Sequence, residues 1–266
     1  MPRKLYLYTF VAALGGFLFG LDTAVINGAL PFFRDHFNLT GSMEGWAVSS
    51  AIFGCVAGAL FIGIPGDKYG RRYMLRIMAV LFVISALGSG LATSIYEFMI
   101  FRVIGGLAIG GASVLSPMYI SEISPPAYRG RLTITFQMSV VIGILVAFAT
   151  DLALIGTGEN NWRWMFISGA VPSLLFFVLL FFVGRSPRWL VKKGNYAEAG
   201  EVLKSLNPGE DVSLMLEEIK GSINSDVADH LRYMFRKPYL QLMIIGSWWN
   251  HSPITGELDM YLHFLQ

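Results

Sequence analysis

Charge is scarce in this sequence. Asp, Glu, Lys and Arg make up 14% of its 266 residues, whereas a water-soluble domain carries about 25%. That deficit argues against a soluble globular domain and for a chain that crosses a membrane several times. Cysteine is almost absent. The one example, Cys55, lies inside an apolar run, so neither a disulfide framework nor a thiolate metal site is available. The histidines, His36, His230, His251 and His263, have no metal-ligand spacing. No phosphate-binding loop, nucleophile motif or low-complexity tract occurs. An enzyme is therefore not expected, nor a metal, a cofactor or a nucleic-acid partner.

What fills the space is apolar. Hydrophobic residues make up 54% of the chain and the mean hydropathy is +0.56. A membrane span needs roughly 20 mostly apolar residues. Six stretches qualify, at 5–30, 46–65, 77–95, 98–120, 132–155 and 164–184. None alternates with a period of two, and lipid forces backbone groups to bond within the helix. The predicted fold is all-α: a six-span bundle over 1–184, a cytoplasmic helical linker over 185–237, and the start of an altered seventh span over 238–266. The outer connections are expected to be short, at 31–45, 94–97 and 156–163.

The distribution of charge says more than the net value of +2. Of 20 Lys and Arg, 17 fall at the N-terminal tip, in 66–76, in 129–131 or in 185–237, leaving Arg34, Arg102 and Arg163. Positively charged loops stay on the cytoplasmic side, so the N-terminus and the 185–237 segment are expected there, in a cell membrane. Arg3 and Lys4 before the first apolar run could imitate a signal peptide. The length of that run and the Asp22 inside it favour a retained span. The linker holds nine basic and eight acidic residues, with helical periodicity over 196–206, 212–223 and 227–235.

Two charges sit inside spans. Asp22 and Arg102 both lie within about 12 Å of the outer ends of the first and fourth spans, at ~1.5 Å per residue. A mid-membrane charge costs roughly 2.5–3.5 kcal/mol even on the mildest scale, and matching depth lets these two pair. A desolvated acid beside a cation can trade stabilisation between a proton and the arginine, as a proton-coupled gate requires. A static pair fixing helix register is the alternative. Gly66-Asp67-Lys68-Tyr69-Gly70-Arg71-Arg72 joins the second and third spans. Its glycines permit a tight turn and its cations hold that turn in cytoplasmic water, which a plain stop signal would also do. Gln137, on an otherwise apolar helix, has both donors and acceptors, which by themselves read as a hydrogen bond to a neighbouring helix. Asp151 reads as a hydrated rim residue. The glycine pairs Gly16/Gly20, Gly54/Gly58 and Gly106/Gly110 read as close-packing sites, and those of spans 1 and 4 hint at an internal three-plus-three repeat.

The most specific stretch is Pro117-Met118-Tyr119-Ile120-Ser121-Glu122-Ile123-Ser124-Pro125-Pro126-Ala127-Tyr128-Arg129-Gly130. It resembles the signature of the sugar porter family of the major facilitator superfamily, P-x-Y-x-x-E-x-x-P-x-x-x-R-G, at every fixed position. Asp22 lies in a stretch similar to that family's first-span motif, and Arg102 heads a similar R-x-x-x-G-x-x-x-G pattern. The resemblance implies a monosaccharide transporter in the lipid bilayer, with a proton as coupling ion because the acid is retained. It implies a sugar contact for Gln137 and an inner gating network of Gly66, Asp67, Gly70, Arg71, Arg72, Glu122, Arg129 and Arg188. One departure stands out: Gly184-Arg185-Ser186-Pro187-Arg188 has Arg185 where the family writes an acid, removing an expected ion-pair partner. After Ser247 the family's seventh-span pattern is not met, so the chain is expected to be an incomplete half that needs a C-terminal half for transport. A sugar facilitator of the same family and a non-transporting sensor or scaffold remain the competing readings.

Overall fold

Prolines, glycines and short polar breaks divide the chain into helices that the computed structural model describes over residues 2–208 and 211–226. The elements are α1 (Arg3–His36), α2 (Gly41–Phe61), α3 (Gly63–Tyr69), α4 (Arg71–Leu91), α5 (Ile95–Ile123), α6 (Arg129–Leu154), α7 (Asn161–Ser168), α8 (Ala170–Leu179), α9 (Pro187–Lys192), α10 (Tyr196–Leu206) and α11 (Val212–Asp226). No strand occurs among the described residues, and six helical stretches are long and apolar enough to cross a membrane. Five correspond to α1, α2, α4, α5 and α6, and the sixth is α7 and α8 together. The predicted helix at 227–235 and the segment 238–266 lie outside the described residues. The packing described below belongs to the compact unit 1–217.

Caps account for several boundaries. At the start of α5 the Ser94 hydroxyl accepts from the Glu97 N–H at 3.3 Å, and Glu97 Oε2 accepts from Thr93 N at 2.8 Å and Ser94 N at 3.3 Å. This capping box satisfies amides that the helix itself cannot. Ser186 caps α9 by accepting from Trp189 N at 3.2 Å, with Pro187 in the first turn, where its fixed φ suits a helix start. Two connections differ from the sequence expectation. α1 runs through Pro31 to His36, so the first outer connection is much shorter than 31–45. The 66–72 motif is helical up to Tyr69, because Gly66 N and Gly70 N bond back to Ile62 O and Gly66 O at 2.9 and 3.1 Å. The turn is confined to Gly70, whose φ of +93° lies in a region an L side chain rarely adopts.

The bundle is knit by reciprocal pairing. α1 packs along α6, and α5 packs along α2, while α4 lies against α5 and α7 against α1. Each triplet of spans thus lends its second helix to the first helix of the other, the arrangement that the glycine echo hinted at. Both contacts are backbone against backbone: Gly106 and Gly110 face the carbonyls of Ala51 and Cys55, and Gly20 faces that of Val140. Large apolar side chains such as Leu60, Phe61, Phe182 and Leu152 point outward, as lipid rather than water would favour. At the basic end, α10 joins the bundle core through Leu206, which clusters with Leu5 and Val183.

Candidate functional site

Asp22 on α1 and Arg102 on α5 meet inside the bundle. Arg102 Nη1 lies 2.8 Å from Asp22 Oδ2, and Nη2 donates to the Asp22 carbonyl at 3.3 Å. The side chains are 2% and 13% exposed, so the pair is nearly dry and its mutual attraction is weakly screened. The Arg102 guanidinium also stands 5.5 Å from the Phe166 ring centroid on α7. Arg102 Nε has no hydrogen-bond partner among the described residues. Gly105, one turn along α5, leaves room for the buried hydroxyl of Ser85 on α4 beside the pair. The helices α1, α4, α5 and α7 therefore converge on a single ion pair, and sequence spacing gave no sign of Phe166 or Ser85.

A second cluster occupies the basic end. Arg71 Nη2 bridges Asp67 at 2.8 Å and Glu122 at 3.0 Å, tying α3, α4 and the end of α5 together. Asp67 also takes Lys192 Nζ at 2.8 Å, and its carbonyl accepts from Trp189 Nε1 at 3.0 Å. Ser186 hydrogen-bonds Glu122, and Arg188 lies within electrostatic reach of it. The Trp189 ring packs on Gly70, and Tyr119 donates to Gly184 O at 2.8 Å. Trp189 belongs to the 186–190 stretch that the family resemblance places in this network, whereas Lys192 was not anticipated as a member. Lys192 lies beyond that stretch in sequence, and only the docking of α9 onto α3 brings it to Asp67. Arg72 turns the other way, donating to Leu180 O at 3.0 Å and Phe181 O at 2.8 Å.

Two of the predicted residues stand apart. Arg129 is exposed at the start of α6 and makes no ion pair among the described residues. Gln137 is exposed on α6, with no hydrogen bond to another described residue, in the face that α1 does not cover. Asp151 corrects an expectation. It is 3% exposed rather than a rim residue, because Gly28 lets α1 close over it, and neither carboxyl oxygen has a partner among the described residues. No group of residues able to hold a metal occurs among those described.

Burial pushes the Asp67 carboxyl up, but the Lys192 hydrogen bond and the Arg71 guanidinium outweigh it and hold the group below the ordinary carboxylate range. A depressed folded-state pKa contributes stability that is present above the unfolded value and lost as pH falls through the folded one. The links to Arg71 and Lys192 should thus persist as pH drops to about 3.9, the ordinary Asp value, and fail only below it. A carbon-detected NMR titration of Asp67 checks this, and a midpoint at or above the ordinary value would contradict it.

The sequence pattern described as "Sugar (and other) transporter" matches residues 8–251. The chain belongs to this family of sugar transporters. It is 40% identical over 242 residues to an arabinose-proton symporter of Bacillus subtilis, covering 88% of this chain and 52% of that protein. It is 41% identical over 227 residues to a glucose transport protein of Synechocystis, covering 81% of this chain and 48% of the relative. Among solved structures, the proton:xylose symporter XylE bound to 6-bromo-6-deoxy-D-glucose superposes with a TM-score of 0.81 at 35% identity, over 86% of this chain and 55% of that one. The sugar-transporter chain thus spans about half the length of the curated relatives it matches. Its fold is the major facilitator fold, and its family is one of multi-pass membrane transporters rather than of enzymes.

Proposed function

We propose that these six spans form one half of a secondary transporter that carries a monosaccharide across the cell membrane together with a proton. The observation that carries the proposal is the buried pair Asp22–Arg102, shared by two helices of opposite triplets and placed at 2.8 Å. An acid in that position has two ways to be satisfied. Ionised, it holds Arg102 and joins α1 to α5. Protonated, it no longer needs the guanidinium, which is then free to find water or another acceptor. Proton uptake is thereby converted into a change in helix contact, which is the requirement for coupling. That relatives of about twice this length include an arabinose-proton symporter supports the same reading.

In this scheme Gln137, on the uncovered face of α6, offers its amide to sugar hydroxyls, and a second six-span half completes the site. The cluster of Gly66, Asp67, Gly70, Arg71, Glu122 and Arg188 latches the opposite end of the bundle, with Arg72 holding the end of α8 beside it. Arg129 joins that cluster in another conformation of the cycle. The N-terminus and α9 to α11 lie on the cytoplasmic side, where the chain's positive charges concentrate. Rocking of the two halves about a midplane site then gives alternating access.

The test is sugar-driven alkalinisation in vesicles, with the chain joined to a second six-span half, comparing wild type with Asp22→Asn. The Asn variant should still exchange sugar but lose accumulation against a gradient, because it has no proton to give. Coupled accumulation that is undiminished in the variant would remove Asp22 from the mechanism. Absence of proton movement in the wild type itself would favour a facilitator.

A further inference from the structure

At the basic end, beside the latch, the first turns of α4 and the segment leading into α9 enclose a cavity of ≈ 220 Å³. Arg72, Arg76, Arg185, Ser186, Tyr73 and Trp189 line it. Its charge is not balanced by the groups that form it. Arg72 donates Nε and Nη2 to the carbonyls of Leu180 and Phe181, and Arg76 donates Nη2 to Leu180 O at 3.1 Å. These acceptors are neutral. The buried Nε of Arg76 has no partner among the described residues. Arg185 pairs with Glu198 at 3.2 Å, and both Arg72 and Arg185 are close enough to Arg76 to repel it. Asp67 and Glu122, the other nearby acids among the described residues, are already matched by Arg71, which also lines the cavity, and by Lys192. Among the described residues, the other three guanidinium groups therefore face one carboxylate, and none of the three can shed its proton.

Arg185 creates this surplus. An acid at that position, as the sugar porter pattern has it, would neutralise Arg72 or Arg76, whereas a third cation leaves a site with a deficit of negative charge. Guanidinium forks suit tetrahedral oxyanions because two parallel N–H groups match two oxygens. Inorganic phosphate or a phosphate monoester carries about −1.5 to −2 at neutral pH and offsets both uncompensated charges, whereas the phosphodiester of a lipid headgroup carries a single negative charge and offsets one. The Ser186 side chain lines the same wall, and Tyr73, 52% exposed at the rim, gives an apolar flank to whatever the group is attached to.

We propose that this cavity binds a phosphoryl anion, held by Arg72, Arg76 and Arg185, at the end of the bundle opposite the outer loops. The ligand is either the headgroup of an anionic lipid or a soluble phosphate, and occupancy ties α4, the end of α8 and α9 to one another beside the latch. It is independent of sugar binding and of Asp22.

The experiment uses the full chain in nanodiscs of phosphatidylcholine. Inorganic phosphate is titrated and followed by phosphorus NMR line broadening, and retained lipid is read by native mass spectrometry after doping with phosphatidylglycerol. Arg185→Glu, at a half-exposed position where folding is not at stake, and Arg76→Gln are measured alongside. Loss of a charge-assisted contact should weaken binding roughly tenfold or more in each variant, and added salt should weaken it in the wild type. Phosphate binding with no preference for phosphatidylglycerol identifies a soluble ligand, and selective retention of phosphatidylglycerol identifies a lipid. No binding of either probe, or equal binding by Arg185→Glu and wild type, overturns the proposal.

Discussion

Asp22→Leu should destabilise the bundle more than Arg102→Met, and combining the two should restore most of the loss. Removing one partner of a buried ion pair costs roughly 3–5 kcal/mol, because the survivor is left charged without compensation. The two survivors are not equivalent. Asp22, left alone by Arg102→Met, can take up a proton and become a neutral acid. Arg102, left alone by Asp22→Leu, cannot deprotonate, and at 2% side-chain exposure it cannot reach water without opening the helices. Its bond to the Asp22 carbonyl and its place beside Phe166 soften the loss only in part. In the double variant no charge remains in the dry layer, and packed apolar groups often match a buried pair in stability. Thermal unfolding in detergent reads all three. A double variant as unstable as Asp22→Leu would mean that the cost is steric and not electrostatic. The same double variant should lose proton coupling even where stability returns, which separates the pair's function from its contribution to folding.

Gly106→Leu should prevent α2 and α5 from closing, whereas Gly45→Ala should be tolerated or mildly stabilising. A Cβ at Gly106 would collide with the carbonyl oxygen of Ala51 and press on Cys55 N at 2.8 Å. Both are main-chain atoms, so no rotamer change relieves the clash and the two helices must separate along their length. Overpacking that side chains can absorb costs about 1–3 kcal/mol, and a backbone clash at the most extensive helix contact of the bundle should exceed that. Gly45 is also on a helix, α2, but a Cβ there meets nothing within 4 Å. Replacing a helical Gly by Ala in open space gains roughly 0.5–1 kcal/mol. Yield of folded protein and the unfolding midpoint distinguish the two, and a Gly106→Leu variant with wild-type behaviour would show that α2 does not lie where the structure has it. Gly20, which faces Val140 O on α6, should behave like Gly106, since the α1–α6 contact is built in the same way.

The sequence made the six spans legible because lipid imposes the same rule on every one of them. Twenty or so apolar residues without charge can only be a helix, and the caps at Ser94 and Ser186 mark starts that are local in origin. The boundaries were less legible. Pro31 looked like the end of the first span, yet α1 continues through it to His36. The break between α2 and α4 looked like a turn with two glycines, while only Gly70 needs a positive φ and Gly66 is an ordinary helical residue packed near Leu115.

Membership of the site was readable to the extent that single residues announce themselves. A carboxylate and a guanidinium in apolar runs at matching depth have few ways to be satisfied, so Asp22 and Arg102 could be paired from position alone. Lys192 and Phe166 could not, because each is unremarkable in its own stretch and acquires a role through a neighbour far away in the chain. Asp151 shows the reverse. Its depth suggested a wet rim, but Gly28 on the opposing helix removes the side chain that would have kept α1 at a distance, and the carboxyl is enclosed.

Composition and spacing were thus sufficient for the helical class, the number of spans and the existence of one intramembrane ion pair, since each follows from the cost of exposing polar groups to lipid. Which helices touch, which carboxylate Arg71 holds, and the unbalanced cluster of Arg72, Arg76 and Arg185 were settled only by packing. The decisive links reach from Arg72 to Phe181, 109 positions apart, and from Asp67 to Lys192, 125 apart, where no local preference acts and only the packing of distant helices decides the partner.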